Sequence, residues 1–597
     1  MKTGKGKTEY TFPESGREMI GMLVRRMLAA QVLSALTVSL CLLIDNIMIG
    51  RFLGVAALAA YGLANPILLV IGAVGSLLSA GVQVACSRSL GKGMQEETNA
   101  GYSTAVVAAA VFSAAFVALV ALLRVPLARL MGASEPGLLS DTSSYMAGFI
   151  IGAPATMSAL ILVPFLQIAG QSSLLIAAVL GMTAADVAFD LLSVFVFNGG
   201  MFGMGLASSL SYYVAMVIGG GYFLSKKCVF KFSFAGVRRE KLRELLAGGA
   251  PSMVGMASSV ALVFAMNKIL MGTGGDAMVA AFSVISTIGN ASNCISTGTG
   301  GVALTLSSMF YNEEDRTSLR SLLGEIARAA AVLGAAAMAL LLIFAPACVR
   351  LFIPEAGASQ RAAVFGLRAF SLGLIPCCLN NALKSSYQGT GRVGLMEILS
   401  LLENVTLPVA AALAARCVAG VPGVWFYFFA GEALTLAGVM GWVWIQKRAV
   451  TWQADDVLLL RSGFGVPPED LLETDIHSIN DVMTASRAAE AFCRAHGGDD
   501  RLSTHMALCV EEMGTNIVTH GFAPNGKNRL SIRLQRKDNR WTLRFRDDCM
   551  AFDPVSHVSQ HTSSDSIGIR LAMRVADEAR YTYSMNLNNL TLILRQE

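Results

Sequence analysis

The sequence predicts an α-helical polytopic membrane protein of twelve transmembrane helices in two six-helix pseudo-repeats, followed by a C-terminal soluble α+β sandwich domain. Three observations carry this prediction. Of the 597 residues, 54% are hydrophobic and only 15% charged, whereas about a quarter of a soluble chain is charged. Long apolar runs alternate with short punctuation from about residue 27 to residue 446, and beyond Lys447 the composition turns polar. The mean hydropathy of +0.57 agrees with a membrane protein.

The N-terminal stretch MKTGKGKTEYTFPESGREM is polar, with no compact apolar segment before a small-residue cleavage site, so it reads as a solvated basic tail and not as a signal peptide. Its GKGKT resembles the end of a phosphate-binding loop, but Met1 stands where the first glycine is needed and no strand precedes it. The formal net charge of +5 indicates no broad basic face for nucleic acid. Eleven cysteines lie scattered without CxxC pairs, several of them (Cys41, Cys294, Cys377) inside apolar runs, and read as small core residues. All six histidines follow residue 470, which excludes transport through an intramembrane histidine.

A hydrocarbon core of about 30 Å needs about 20 helical residues. Runs of that kind begin near residues 27, 55, 102, 144, 172, 203, 248, 278, 325, 365, 393 and 424. Backbone groups in lipid must be satisfied internally, so the runs are read as helices, and nothing alternates as a barrel strand would. Basic residues cluster before the first run (Lys5, Lys7, Arg17, Arg25, Arg26), after the second (Arg88, Lys92), in KKCVFKFSFAGVRREKLRE after the sixth, and at Lys447 and Arg448 after the twelfth. With twelve spans all of these fall on one side, which predicts cytoplasmic termini.

The halves repeat. DNIMIG from Asp45 pairs with NKILMG from Asn267, ALAAYG near residue 58 with MVAAFS near 278, and the Asp190-to-Gly205 spacing with Pro408-to-Gly423, at an offset of about 220 residues. Duplicated six-helix bundles suggest a cavity between them that opens to alternate sides.

Acids inside spans are functional candidates by default. Asp45 lies on the first span, and Asp186 and Asp190 on the fifth, four residues apart and so on one helix face. Counted from the cytoplasmic ends, all three reach a similar depth in the outer half of the first bundle. Desolvation and mutual repulsion favour a proton there, and the same oxygens suit a hard cation such as sodium. The second half places Asn267 and Pro408 at the matching positions but has Glu397, Glu403 and Glu432, for which Lys384 and Arg368 are candidate structural partners.

Twelve spans, DNIMIGRFLG…ALAAYGLANPI, and DVAFD before GMFGMGLA together resemble the MATE family of multidrug and toxic-compound exporters over about residues 15–450. The resemblance implies a two-lobed antiporter in the plasma (inner) membrane that exports small organic, often cationic, compounds against Na+ or H+. Asp45 matches the prokaryotic branch with an acid in the first span. Asp190 matches that branch's fifth-span acid, while Asp186 stands where Asn is usual. Because flippases share the superfold, export of a lipid-linked precursor is the related alternative.

Beyond the linker, residues of about 484–496 and 501–519 are amphipathic helices, LSIRLQR and WTLRFRD alternate as a hairpin around KDNR, and a helix at about 568–579 precedes strands at Tyr581 and Leu590. Helices on one face of a mixed sheet make the sandwich. Glu512 and Asn516 share a helix face and offer a base and a magnesium ligand; Asp547 at a strand end suits an adenine amino group, and Gly568 at a helix start suits phosphate. The ordered set Glu512, Asn516, Asp547, Phe552, Asp553, Pro554 and Gly568 is similar to the GHKL (HATPase) ATPases, and within them to the anti-sigma-factor serine kinases, over about residues 480–597. That resemblance implies Mg-ATP as cofactor and an anti-anti-sigma-like (STAS) protein as partner. Cys549 and Ala551 depart from the family's Gly or Pro, and Ser566 from its lid glycine. No separate phosphoacceptor hairpin accompanies His505, which disfavours a histidine kinase.

The expected division is a cytoplasmic tail (1–24), a first lobe (25–225), a basic cytoplasmic loop (226–247), a second lobe (248–447), a linker (448–480) and the ATPase-like domain (481–597). The leading expectation is ion-coupled export with ATP regulating rather than driving; no nucleic-acid partner is expected. The competing expectation is a membrane-anchored sensor whose C-terminal domain phosphorylates a serine on its partner.

Overall fold

The structure, a computed structural model, describes residues 17–596 except 54, 93, 132, 134–135, 227, 275, 354–356, 448–453, 462, 524–527, 538–539 and 561–566. Ser566, Lys5, Lys7 and the centre of the KDNR turn lie outside the described residues. The chain divides into two compact units. One comprises Val24–Glu313 with Leu322–Leu460; the other comprises residues up to Leu23, Glu314–Ser321 and Arg461–Glu597.

The larger unit is helical. Its first half runs α1 (Arg17–Met48), α2 (Val55–Gly91), α3 (Gln95–Leu130), α4 (Pro136–Ile150), α5 (Ala153–Ile168), α6 (Ser172–Phe195) and α7 (Gly200–Gly220). The second half runs α8 (Arg239–Gly274), α9 (Asp276–Ser292), α10 (Cys294–Asn312), α11 (Arg316–Arg350), α12 (Ala358–Ser371), α13 (Leu374–Gly389), α14 (Val393–Leu401), α15 (Leu407–Val424) and α16 (Tyr427–Lys447), with a short α17 (Ala454–Val457). Two separate cores form, one drawn from residues between Ala30 and Leu245 and the other from residues between Met266 and Tyr427. This is the physical content of the repeat: each half buries its own apolar faces.

Twelve spans are not confirmed. Among the described residues nine helices are long and apolar enough to cross a membrane, or eleven when the bent pairs α4–α5 (52°) and α12–α13 (47°) each count as one. The expected span near 278 is helical, as α9 and α10, but is not among them. Its α10 carries Ser296, Thr299, Thr305, Ser307 and Ser308, all buried against protein, so its polarity faces inward instead of toward lipid.

Helical junctions in this unit are tight. A Cβ on Gly249 of α8 would lie 1.8 Å from the Leu77 carbonyl oxygen of α2, so the two backbones pass at a distance that only glycine permits. Short π-helical turns follow α1 (Ile49–Leu53) and α14 (Leu402–Thr406). Such turns re-aim side chains and are frequent at functional sites.

The smaller unit is an α+β sandwich. Strands β1 (Leu471–Ile476), β2 (Leu530–Lys537), β3 (Arg540–Asp547), β4 (Glu578–Ser584) and β5 (Leu587–Arg595) form one sheet in the order β1-β2-β3-β5-β4. Every pairing is antiparallel, which corrects the expected mixed sheet. The helices are α18 (Ile479–Ala495), α19 (Asp500–Asn516), α20 (Pro554–Gln560) and α21 (Ile567–Val575). Strand β1 occupies part of the stretch read from sequence as linker. Alternation sends Leu530, Ile532, Leu534, Trp541, Leu543 and Phe545 into the core with Met506, Val510 and Ile569 of the helices.

The opposite face of the sheet carries charge. Glu473 pairs with Arg533 across β1–β2, and Arg533 with Arg544 across β2–β3. Within the same unit, buried Asp315 forms an ion pair with Arg533 and lies 3.9 Å from Arg544. It also accepts from the Ser318 backbone N–H at 2.9 Å and the Ser318 hydroxyl at 2.8 Å. Burial opposes ionisation of Asp315, but the charges of Arg533, Arg546 and Arg544 outweigh it and hold the carboxyl well below the usual carboxylate range.

Glu473 moves the other way: burial first, then the Asp315 charge, push it up to about 7 from 4.5. Its folded-state value exceeds its unfolded one, so the folded unit takes up a proton between those values. Stability from this group is present below 4.5 and is lost as pH rises through about 7. Amide exchange of β1 and β2 in the full-length protein is therefore expected to slow as pH falls from about 8 to about 6 after correction for intrinsic rates, and Glu473→Gln is expected to flatten that dependence.

Candidate functional site

The aspartates singled out by sequence converge. Asp45 near the end of α1 is 4% exposed, and Asp186 and Asp190 on α6 are 2% and 0% exposed. Helical spacing puts the α6 pair on one face, and α7 supplies the hydroxyls opposite. Ser208 donates to Asp45 Oδ2 at 3.2 Å. The Asp45 and Asp190 carboxyls lie within reach of each other, and Asp186 faces the Ser211 hydroxyl and the Cys41 thiol.

Too few donors serve this cluster. Both oxygens of Asp190, Asp45 Oδ1 and Asp186 Oδ2 are buried without a hydrogen-bond donor. Three buried carboxylates with one or two hydroxyls between them cannot all stay ionised, because desolvation and repulsion are uncompensated. Among the described residues no group of three or more His, Cys, Asp or Glu is arranged to hold a metal ion.

Ser208, Ser211 and Cys41 were not identified from sequence. The only local signal for the serines is SSLSYY, which places Ser208 and Ser211 one turn apart on a helix otherwise apolar. In the second half, Lys384 Nζ bonds Glu403 Oε1 at 2.7 Å, so one of the candidate pairings forms. Arg368 instead donates to the Leu342 carbonyl at 3.3 Å.

In the smaller unit, Glu512 and Asn516 occupy the last turns of α19, which is N-capped by Asp499 accepting from Leu502 N–H at 2.6 Å. A π-helical turn, Ile517–Gly521, follows. Gly568 at the start of α21 is brought against Glu512: a Cβ there would lie 1.9 Å from Glu512 Oε2. Asp547 ends β3 on the core-facing side and is 3% exposed. Its Oδ1 accepts from Asn588 Nδ2 at 2.7 Å and from Cys549 N–H at 3.0 Å. Asn588 is held in turn by the Tyr581 hydroxyl at 2.6 Å and Phe552 N–H at 3.2 Å. Burial pushes the Asp547 carboxyl up, against the hydrogen bonds of Asn588 and Cys549.

This donor set fits a magnesium nucleotide chemically. A buried carboxylate can receive an amino group, Glu512 and Asn516 stand one turn apart, and Gly568 leaves room where a side chain would collide. Cys549 is the misfit: it is buried, its thiol faces Asp547, and its Sγ lies 2.9 Å from where a Cβ on Gly521 would stand. Asn588 and Tyr581, which buttress Asp547, had no motif to mark them.

A duplicated helical fold with a buried acid cluster in its first lobe, joined to an α+β sandwich, is the architecture of a transporter with an appended ATPase-type domain. The MatE family profile matches residues 31–192 and again 251–412, and the chain belongs to that family. A histidine kinase-like ATPase domain matches residues 478–594. Solved structures agree on the fold. A MATE in complex with MaL6 is 19% identical with a TM-score of 0.67, covering 73% of this chain and 98% of that one. An outward-facing multidrug resistance MATE transporter of the MOP superfamily gives the same values. A MOP superfamily transporter from Pyrococcus furiosus, whose binding pocket is described as of reverse polarity, is 19% identical with a TM-score of 0.65 over 73% of this chain and 98% of that one. No functionally curated protein matches the sequence.

Proposed function

We propose that the chain is a proton-coupled antiporter that exports small organic compounds across the plasma membrane, with both termini cytoplasmic and a C-terminal domain that binds Mg-ATP to regulate transport. The observation that carries the coupling is the donor-poor cluster of Asp45, Asp186 and Asp190. Desolvation and mutual repulsion among three facing carboxyls favour a shared proton there. Substrate and proton then compete for one conformational equilibrium: protonation neutralises the cluster and substrate leaves, and deprotonation restores the charge.

The nucleotide reading rests on Glu512, Asn516, Asp547 and Gly568. Asn516 would hold magnesium, Gly568 N–H would meet phosphate, and Asp547 would receive the adenine amino group in competition with Asn588 and Cys549. ATP when bound supplies charge and occupancy to the domain; the gradient supplies the work.

In everted vesicles with ethidium as the probe, uptake is expected to collapse on addition of a proton–potassium exchanging ionophore and to persist when ATP is removed under an imposed pH gradient. Uptake that follows ATP, or that collapses only with a sodium ionophore, contradicts the proposal.

A further inference from the structure

The second half contains a buried charged cluster that has no equivalent among the aspartates of the first. On α13, Asn380 and Lys384 stand one turn apart and face Glu403 and Glu432. Their exposures are 2%, 6%, 5% and 4% in that order. Lys384 Nζ bonds Glu403 Oε1 at 2.7 Å. Asn380 Nδ2 donates to Glu432 Oε2 at 2.8 Å and to the Glu432 backbone carbonyl at 2.9 Å, tying α13 to α16. Glu403 itself sits in the π-helical turn Leu402–Thr406, which offsets its side chain from the regular faces of α14 and α15.

Counting charge exposes a deficit. One ammonium faces two carboxylates, so the fully ionised cluster buries one uncompensated negative charge, which is costly. Counting donors exposes a second. Glu403 Oε2 and Asn380 Oδ1 are both buried acceptors without a hydrogen-bond donor. One added proton removes the excess charge, and its O–H supplies one of the two missing donors. A metal cation is disfavoured, because the ammonium already lies against Glu403 and repels it.

We propose that Lys384, Glu403 and Glu432 form a second proton site, in which Lys384 holds Glu403 ionised and Glu432 carries the exchangeable proton. A hydronium ion gives its proton to the Glu432 carboxylate: one O–H bond of the hydronium breaks, the carboxyl O–H bond forms, water leaves, and the cluster becomes neutral. Among the described residues the other titratable groups facing it are the thiols of Cys377 and Cys378 on α13, with Cys294 of α10 behind Cys378 and the Ser296 hydroxyl 3.5 Å from the Cys377 thiol. The site does not rest on coupling at Asp45, Asp186 and Asp190, and its test reads protonation directly and not transport.

Infrared difference spectra of the purified full-length protein across neutral pH test it. The wild type is expected to show a protonated-carboxyl band that is lost in Glu432→Gln and kept in Asp190→Asn. Lys384→Met is expected to gain a band, because Glu403 without its ammonium takes a proton. The neutral pair Lys384→Met with Glu403→Gln is expected to show no gain and to stay folded, which separates titration from misfolding. A Glu432→Gln spectrum that superimposes on the wild type, no gained band in Lys384→Met, or loss of the Glu432 band when sodium replaces potassium would each overturn the proposal.

Discussion

Asp190→Asn is expected to reduce gradient-driven export of ethidium to the level of protein-free vesicles while the protein remains folded. Asparagine keeps the size of the side chain and removes its ability to ionise. Asp190 is fully buried and neither of its oxygens has a donor. As a structural brace it would be poorly chosen, since an unsatisfied buried carboxylate destabilises the fold. An amide supplies the donor that Asp45 lacks, so the variant is expected to be at least as stable as the wild type. The combination of retained thermal stability, lost transport and a flattened pH profile separates a proton carrier from a helix brace. Asp45→Asn is expected to behave alike. Asp186→Asn is expected to keep part of the activity, because Asp186 has the Ser211 hydroxyl and Cys41 thiol as partners where Asp190 has no donor.

Asp547→Ala is expected to weaken Mg-ATP binding to the full-length protein by about tenfold to a hundredfold. A hydrogen bond to a charged group is worth roughly 1.5–3 kcal/mol, and about 1.4 kcal/mol is tenfold in affinity. The substitution also removes the acceptor that orients Asn588. The companion change Cys549→Gly is expected to act in the opposite direction, since it withdraws the thiol that faces Asp547 and relieves the approach to Gly521. Calorimetric titration of both variants checks the pair. An Asp547→Ala isotherm equal to the wild type would remove Asp547 from the nucleotide site, and the Cys549 argument would go with it.

Much of this architecture is legible in the amino-acid sequence. The duplication is visible as recurring DNIMIG and NKILMG motifs, and two separate cores follow from it. Asp186 and Asp190 were legible as a pair because helical spacing is local. Their partners were not: Ser208 and Ser211 reach the acids from another helix, and no spacing rule encodes a contact between helices. Lys384 and Glu403 were legible only as members of a short set of candidates, for the same reason.

The twelfth span is not confirmed where polarity is satisfied inside the protein, because hydropathy scores α10 by its serines and threonines and not by where they point. In the smaller unit, α18 and α19 were clear from amphipathic period. Strand β1 was hidden in LLETDI, whose acids belong to the charged face of the sheet and made it read as linker. Asn588 carries a role set by cross-strand register with Asp547, which only the β3–β5 pairing reveals.

On the proposed mechanism a proton gradient acting through the first-lobe aspartates does the work, with no contribution from nucleotide. This mechanism is tested most directly by reconstituting the purified full-length protein in liposomes free of nucleotide, imposing a pH jump, and following ethidium redistribution with a pH dye reporting from the lumen. Ethidium and protons are expected to move in opposite directions on the same time course, and both signals to vanish in Asp190→Asn. Ethidium movement without counter-movement of protons, or equal movement in Asp190→Asn, would contradict it.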